Sequence, residues 1–457
     1  MTNKVIPVEK NEYYEAHIES LTHDGLGVAK VEGFPLFVIN GLPSERVILK
    51  VTMVKKTYGF ATVIERLSRS DERVEPSCQI YKNCGGCQLQ HLSYEGQLAF
   101  KKETVTNALI RIGHFESPDV MDTMGMENPT CYRNKSQVPF GARDGHIIAG
   151  FYQKRSHEII NMETCMIQTD VSDAIIGRMR ELCKSLEIRP YNETEHAGTL
   201  RHVIVRVGFV TNEIMVTLVT RSAKLFNKDK LIATLTEEFP NIKSIAQNIN
   251  DKKTNVIFGD ETKILYGEPY IYDELNGIRF AISPRSFFQV NPVQTENLYS
   301  KAVEFANLTG DEVVFDAYCG IGTITLFLAQ KARAVYGVEV IPEAIEDARL
   351  NAKLNNMNHV TFEVGKSEEV IPSWIASGIK PDVIVVDPPR KGCDRTLLDT
   401  IIEAAPKRVV YVSCDPSTLA RDLEILVAGG YNLQTVQPVD MFPHTSHVET
   451  VVWLEKK

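Results

Sequence analysis

No run in this 457-residue sequence stays apolar for the ~18 residues that a membrane-spanning helix needs. The opening MTNKVIPVEKNEYYEAHIES lacks the basic start, apolar core and small-residue cleavage site of a secretory signal. Both absences point to the cytoplasm. Low-complexity tracts and internal repeats are also missing, which excludes solenoid and array architectures. Positive charge is not in excess: 59 acidic residues outnumber 50 basic ones and the net charge is −9, so bulk electrostatics alone cannot be the means of gripping nucleic acid. The nine cysteines are an odd number, and in a reducing compartment they read as ligands, nucleophiles or core residues and not as disulfides.

What is present describes a folded chain of two or three domains, because 43% of the residues are apolar and single cores stop growing near ~250–300 residues. Short alternating segments between residues 13 and 66, separated by Gly and Pro turns, predict a small closed β-barrel over residues 1–68. Barrels of this size are often oligonucleotide-binding (OB) modules, although SH3-like and purely structural barrels share the pattern. Residues 69–285 mix β-like and helical runs and read as a central α+β domain, with a helix at 94–111 expected to pack on the C-terminal domain. A local basic stretch lies there, with Arg133, Lys135, Arg143, Lys154 and Arg155 opposed only by Asp144. Residues 286–457 alternate helices with apolar strands at 313–318, 334–340, 360–364, 382–387 and 408–413, which predicts a parallel sheet covered on both faces. Two final runs, LQTVQPVDMF and HVETVVWLE, predict an antiparallel hairpin at the sheet edge.

Chemistry concentrates at the carboxyl ends of these strands, where open α/β sheets bind ligands. The first strand runs into DAYCGIGTITLFL, whose glycines let backbone approach a ligand ahead of a helix N-terminus. The second ends at Glu339, 19 residues after Gly320, where a carboxylate can accept from a ribose diol. The turn lacks the GxGxxG spacing of pyrophosphate binders, so a ligand with a ribose and no pyrophosphate fits. S-adenosylmethionine is such a ligand, with Asp316 near its amino-acid end. The fourth strand ends in VVDPPRKGCD, a turn made rigid by two prolines after Asp387.

The fifth strand delivers Cys414 in VVYVSCDPSTLARD, immediately before a helix start that should lower its pKa. A thiolate is suited to conjugate addition at C6 of a pyrimidine, which turns C5 into a carbon nucleophile for a methyl group. A base must then remove the C5 proton, and Glu449 leads His444 and His447 for that task. Cys319 and Cys393 share the edge but are read as lacking a comparable helix start. Further upstream, CQIYKNCGGCQLQH sets Cys78, Cys84 and Cys87 at x5 and x2 spacing. Three such thiols call for a fourth ligand, with Cys165 ahead of Cys131 and Cys183, and their spacing does not separate zinc from an iron–sulfur cluster.

Together these pieces resemble the bacterial RNA (uracil-5-)methyltransferase family, in particular its 23S ribosomal RNA branch and the Gram-positive members that modify two rRNA uridines. The resemblance spans nearly the whole chain. It implies a TRAM barrel of the OB type, a Rossmann-like class I S-adenosylmethionine-dependent methyltransferase domain, and a 4Fe–4S cluster on Cys78, Cys84, Cys87 and Cys165. It also implies Gln289, Tyr318, Glu339 and Asp387 as donor-binding residues, Cys414 as nucleophile, Glu449 as proton acceptor, and CYRNK at 131–135 near the target base. Asp415 and Thr323 depart from the family pattern, where Asn is common at the first and found in some members at the second. The expected partner is RNA, with no protein partner required. The alternatives are a tRNA uridine C5 methyltransferase and a non-catalytic RNA-binding protein on the same fold.

Overall fold

A computed structural model describes residues 6–457 apart from Arg155, so that member of the basic stretch lies outside the described residues. Five strands close the N-terminal barrel: Tyr13–Leu21 (β1), Gly27–Val31 (β2), Phe34–Ile39 (β3), Arg46–Val54 (β4) and Gly59–Arg66 (β5), in the order β1-β2-β3-β5-β4. Alternation along each strand sends Ile18, Ala29, Leu36, Val38, Leu49, Val51 and Ala61 inward, where all are buried.

The helix Tyr94–Arg111 (α1) and the two-residue strand Asp119–Val120 (β6) follow. The middle of the chain then builds a second sheet from Lys135–Arg143 (β7), His146–Tyr152 (β8), Ile159–Asn161 (β9), Leu200–Val207 (β10), Ile214–Thr220 (β11), Ile242–Ile249 (β12) and Glu261–Gly267 (β13). Its order is β13-β12-β11-β10-β7-β8-β9. Helices Asp170–Ser185 (α2) and Lys228–Glu238 (α3) cover one face, against which Val138, Val203, Val205, Val216 and Leu218 pack. A hairpin of Ile271–Leu275 (β14) and Ile278–Ile282 (β15) leads into Pro292–Ala306 (α4).

The third sheet carries Val313–Ala317 (β16), Ala334–Glu339 (β17), Val360–Val364 (β18), Val383–Val386 (β19), Arg408–Ser413 (β20), Tyr431–Val439 (β21) and Glu449–Lys456 (β22). Between them run the helices Thr323–Ala329 (α5), Pro342–Leu354 (α6), Ser367–Ala376 (α7), Arg395–Ala404 (α8) and Pro416–Ala428 (α9). Strands β16 to β20 are parallel, as the near-continuous apolar runs required. The order β18-β17-β16-β19-β20-β22-β21-β6 reverses direction between β16 and β19, a topological switch point where crevices open. The expected terminal hairpin is present, but it is not the outermost element, because β6 pairs with β21 beyond it. One core, with α4, α5 and α6, fills one face of this sheet. The opposite face holds α7, α8 and α9 together with Val105, Ala108 and Leu109 of α1.

The segment between β21 and β22 is tied to α1, to residues 88–89, to Tyr132 and to the start of α4. Lys101 of α1 and Asp440 are both fully buried and form an ion pair. Lys101 Nζ also donates to the Phe442 carbonyl at 3.1 Å, and the Tyr94 hydroxyl donates to Asp440 Oδ2 at 2.8 Å. Burial works to push the Lys101 ammonium down, and the Asp440 carboxylate opposes this. Asn291 at the N-cap of α4 donates to the Met441 carbonyl, Tyr132 to the Pro443 carbonyl, and the Gln88 and Leu89 amides to that of His444. Breaking a buried pair by removing one partner leaves an uncompensated charge. Lys101→Met is therefore expected to lower stability by about 3–5 kcal/mol in denaturant unfolding, with Lys101→Met/Asp440→Leu recovering most of the loss. A single-variant loss below about 1 kcal/mol would place the pair in solvent, as for surface ion pairs.

Candidate active site

The carboxyl edge of the third sheet opens into a cavity of about 1220 Å³. Of the expected residues, Gln289, Tyr318, Glu339, Asp387, Cys414 and Glu449 all line it. Their convergence follows from the register. Ser413 stands opposite Thr450 in the antiparallel β20–β22 pair, so the next residues outward, Cys414 and Glu449, face each other across it. Asp387 follows the neighbouring strand β19, and Glu339 ends β17.

The glycine turn after β16 is strained in a specific way. Tyr318 has φ 68, a genuine outlier for a bulky side chain and the sort of strain that gathers at functional sites. Gly322 at φ 85 caps α5, and a Cβ there would meet the Phe362 ring at 3.0 Å, so the chain needs glycine for both conformation and space. Glu339 is held beside this turn: its Oε2 accepts from the Gly320 amide at 3.3 Å, and its Oε1 from the Val340 and Ile341 amides at 2.8 and 3.1 Å. Asp316 is buried under the turn. Its Oδ2 accepts from the Thr325 hydroxyl while Oδ1 has no partner.

The cavity is acidic, and burial sets its titration. Desolvation raises Glu449 to about 8, helped by Asp387 and opposed by Arg390 and Lys101. Asp387 rises to about 7 by burial, and Asp316 to about 7 by burial against the Thr325 hydrogen bond. The Cys414 thiol is pushed up to about 12 by burial and then by Glu449 and Asp387, with Arg390 acting against them. This corrects the expected lowering by the helix that follows. Asp415 caps α9, and its Oδ1 accepts from the Ser417 and Thr418 amides at 2.9 and 3.2 Å, so those donors are spent on the cap and not on the sulfur.

One further expectation is corrected, that for Cys393. Cys393 does precede a helix start, since Asp394 caps α8 as Asp415 caps α9; what separates the two thiols is burial, because Cys393 is only 6% exposed and packs in the core. Of the base candidates, His447 and Glu449 line the cavity, whereas His444 lies outside it, buried beside Tyr94 and Gln97. Cys319 lines the cavity but is buried in the core of the same face as α5.

The other cysteines form a second cavity of about 280 Å³, lined by Cys78, Cys84, Cys87 and Cys165. Of the alternatives, Cys131 is exposed and Cys183 is buried in the α2 core; neither lines it. Burial raises Cys84, takes Cys87 to about 11 and Cys165 to about 12, while Lys154 and Arg133 act to lower Cys84 and Cys87 respectively. Among the described residues, no three His, Cys, Asp or Glu side chains stand close enough to share a metal ion. Gly86 and Arg133 line both cavities, so the two abut.

Residues 93–457 match the family described as tRNA (Uracil-5-)-methyltransferase, and residues 7–64 match the TRAM domain. The chain belongs to that methyltransferase family. An RNA methyltransferase of Halalkalibacterium halodurans is 57% identical over all of both chains, and one of Bacillus cereus is 55% identical over 99% of each. Among solved structures, the Pyrococcus abyssi tRNA (uracil-54, C5)-methyltransferase in complex with S-adenosyl-L-homocysteine matches with a TM-score of 0.77 and 29% identity, covering 96% of this chain and 100% of that one. The fold is thus that of a class I S-adenosylmethionine-dependent methyltransferase preceded by a TRAM-like barrel.

Sequence reasoning missed several residues of this methyltransferase's cavity, among them Arg285, Lys366 and Tyr299. Tyr299 of α4 is buried, contacts the Gln289 side chain, and is raised by burial and then by the charges of Asp387, Glu449 and Asp316. Its position among apolar helix residues reads as an ordinary core aromatic, so no local signal marks it. The raised carboxyls give a test of the electrostatics. An acid whose folded pKa lies above its unfolded value binds more protons when folded, so its stabilising contribution is full at low pH and is lost as pH rises through the folded value. The ligand-free protein is expected to lose thermal stability between about pH 4 and pH 8, and Asp387→Asn should make that fall shallower; a melting temperature that rises across this window would contradict it.

Proposed function

We propose that the protein methylates C5 of specific uridines in 23S ribosomal RNA, with Cys414 as nucleophile and Glu449 as acceptor of the C5 proton. The observation that carries the chemistry is the meeting of Cys414, Glu449 and Asp387 in one cavity at a topological switch point. A uridine must leave its stack to reach such a cavity, at a cost of a few kcal/mol that is smaller in loops than in helices.

Cys414 sits among carboxylates, so its thiol proton passes to Asp387 as the sulfur bonds to C6 and the C5–C6 π pair moves into an enolate, which leaves Glu449 free for the later proton. S-adenosylmethionine, when bound, supplies the methyl group as an electrophilic sulfonium. Glu449, in its ionised form, then removes the C5 proton; the C6–S bond breaks, the double bond re-forms and the thiolate leaves. Because burial raises Glu449 to about 8, turnover is expected to climb with pH up to about that value.

Gln289, Tyr318, Glu339 and Asp387 are the proposed holders of the donor. The unpartnered Asp316 oxygen and the open space beside Gly320, where a Cβ would meet nothing within 4 Å, fit a ligand with donors near that turn. The donor product bound to the Pyrococcus abyssi relative supports this reading. Cys78, Cys84, Cys87 and Cys165 are the proposed ligands of a 4Fe–4S cluster. Four thiols around one cavity are a donor set that zinc or an iron–sulfur cluster can take, and the family resemblance favours the cluster. Protein purified without oxygen is expected to carry about four irons per chain and to lose them in Cys165→Ala; an iron-free wild type would remove the cluster.

The choice of 23S rRNA rests on the family resemblance of these cysteines. The likeness to the Pyrococcus abyssi enzyme favours tRNA as the second reading. Mass analysis of nucleosides from 23S rRNA and from tRNA, each incubated with protein and labelled donor, separates the two. Label in 5-methyluridine of 23S rRNA is the expected result, label in tRNA alone would move the target, and label on adenine or cytosine would end the reading. Glu449→Gln is expected to accumulate an adduct of enzyme and methylated RNA, because proton removal is blocked after methyl transfer; rapid product release from that variant would show that another group is the base.

A further inference from the structure

The middle sheet carries cations that no acid balances. Lys135 on β7 stands opposite Arg206 on β10 in register. Their neighbours Val138, Val205 and Val207 point at the α2 and α3 core, so Lys135 and Arg206, out of phase with them, point to the other face. Arg206 is only 4% exposed. Its Nη2 donates to the Ser286 carbonyl at 2.6 Å, while its Nε is buried without a partner. Neither side chain forms an ion pair among the described residues. A buried guanidinium beside a half-buried ammonium destabilises a fold unless an anion compensates them. Burial pushes Lys135 down to about 7, with Arg206 and then Arg133 adding repulsion, and burial takes Arg206 to about 10.

The pair lies against the active cleft. Ser286, which anchors Arg206, lines the cavity, and so does Arg133, two residues before Lys135. Between them Asn134 fixes this strand to the next segment of the cleft, donating from Nδ2 to the Gln289 carbonyl at 3.0 Å and from its amide to that of Val290 at 2.8 Å. A guanidinium with a free Nε beside an ammonium matches a phosphate oxygen pair. The methyl donor's carboxylate is the other anion at hand, but the pair belongs to the middle sheet and not to the parallel sheet that carries the glycine turn.

We propose that Lys135 and Arg206 form a phosphodiester-binding subsite that holds the RNA backbone beside the nucleotide entering the cleft. The proposal rests on the reading of the protein as an RNA uridine methyltransferase and adds the residues that position the strand. The test uses the full chain and a fluorescent 20-nucleotide oligouridylate, with affinity measured against salt concentration. Lys135→Gln is expected to weaken binding by about tenfold and to make the log–log salt slope shallower by about 0.7, the value for one phosphate contact on a single strand. Lys135→Arg should restore both, Arg206→Lys should weaken binding without a large drop in melting temperature, and affinity for S-adenosylmethionine should not move in any of them.

An unchanged salt slope in Lys135→Gln, or wild-type protein that does not bind the oligouridylate, overturns the subsite. Loss of S-adenosylmethionine affinity instead would assign the anion to the donor's carboxylate and overturn it as well. Methyl transfer to rRNA is followed in the same preparations. Wild-type transfer with an unchanged slope in the variant defeats the subsite alone, whereas no wild-type transfer to any RNA defeats the functional reading on which it rests.

Discussion

The buried pair between Lys101 and Asp440 is the constraint on which the rest of the structure hangs. A charged pair without solvent contributes little net stability over apolar residues of the same size, but it tolerates no loss of either partner. It therefore acts as a register mark. The ammonium comes from a helix that precedes the middle sheet in the chain, and the carboxylate from the segment between the last two strands, so the two ends of the protein lock at one point. Around it Tyr94, Gln97, Tyr132, Asn291 and Gln294 hydrogen-bond to backbone or side-chain groups of residues 440–444. The strand that leaves this knot begins with Glu449, which fixes that carboxyl against Cys414 just past the end of the neighbouring strand.

The second constraint is electrostatic. Asp316, Asp387, Glu449 and Cys414 all face one cavity, where Asp387 makes ionisation of the other three harder and Glu449 adds to the effect on Cys414. The ligand-free site thus favours protonated forms. A sulfonium donor brings the positive charge that such a ring of acids lacks, and Arg390 is the cation already turned toward Cys414 and Glu449. Asp415 adds to the effect by spending the α9 amides on its own side chain. The nucleophile that we propose is thus a thiol held neutral until the substrate and donor reshape its surroundings. That is a different device from a thiolate made permanent by a helix dipole.

Much of this was legible in the chain. The inner parallel strands are buried on both faces and read as apolar runs, whereas edge strand β18 is mostly exposed and alternates; β18 and β20 fall where the pattern put them and the others differ by a residue or two at their ends. Helix α1 coincides with its expected span for a similar reason: Ser93 caps it by accepting from the Gly96 amide. The six residues expected at the donor and catalytic positions share one cavity because sheet topology brings strand ends together, and strand ends are marked in sequence by Gly, Pro and Asp. What escaped was long-range. Nothing near Lys101 announces Asp440, nothing near Tyr299 announces a cavity, and Arg206 looks like one residue of an apolar strand until Lys135 is placed opposite it. The titration of Cys414 was misjudged because burial and the Glu449 and Asp387 carboxylates, which tertiary structure brings to the thiol, outweigh the helix that follows.

The two cavities share Arg133 and Gly86, so the proposed cluster and the proposed base pocket have a common wall. The most direct test of the central claim, that Cys414 attacks the base, is to offer the wild-type protein an rRNA fragment containing 5-fluorouridine together with S-adenosylmethionine. Fluorine at C5 cannot leave as a proton does, so attack and methyl transfer would halt at the covalent stage. The expected result is a complex that survives denaturation and forms only with the donor, in which mass analysis finds methylated fluorouridine on the peptide bearing Cys414. A methylated RNA with no adduct, or an adduct on any other residue, would contradict the account.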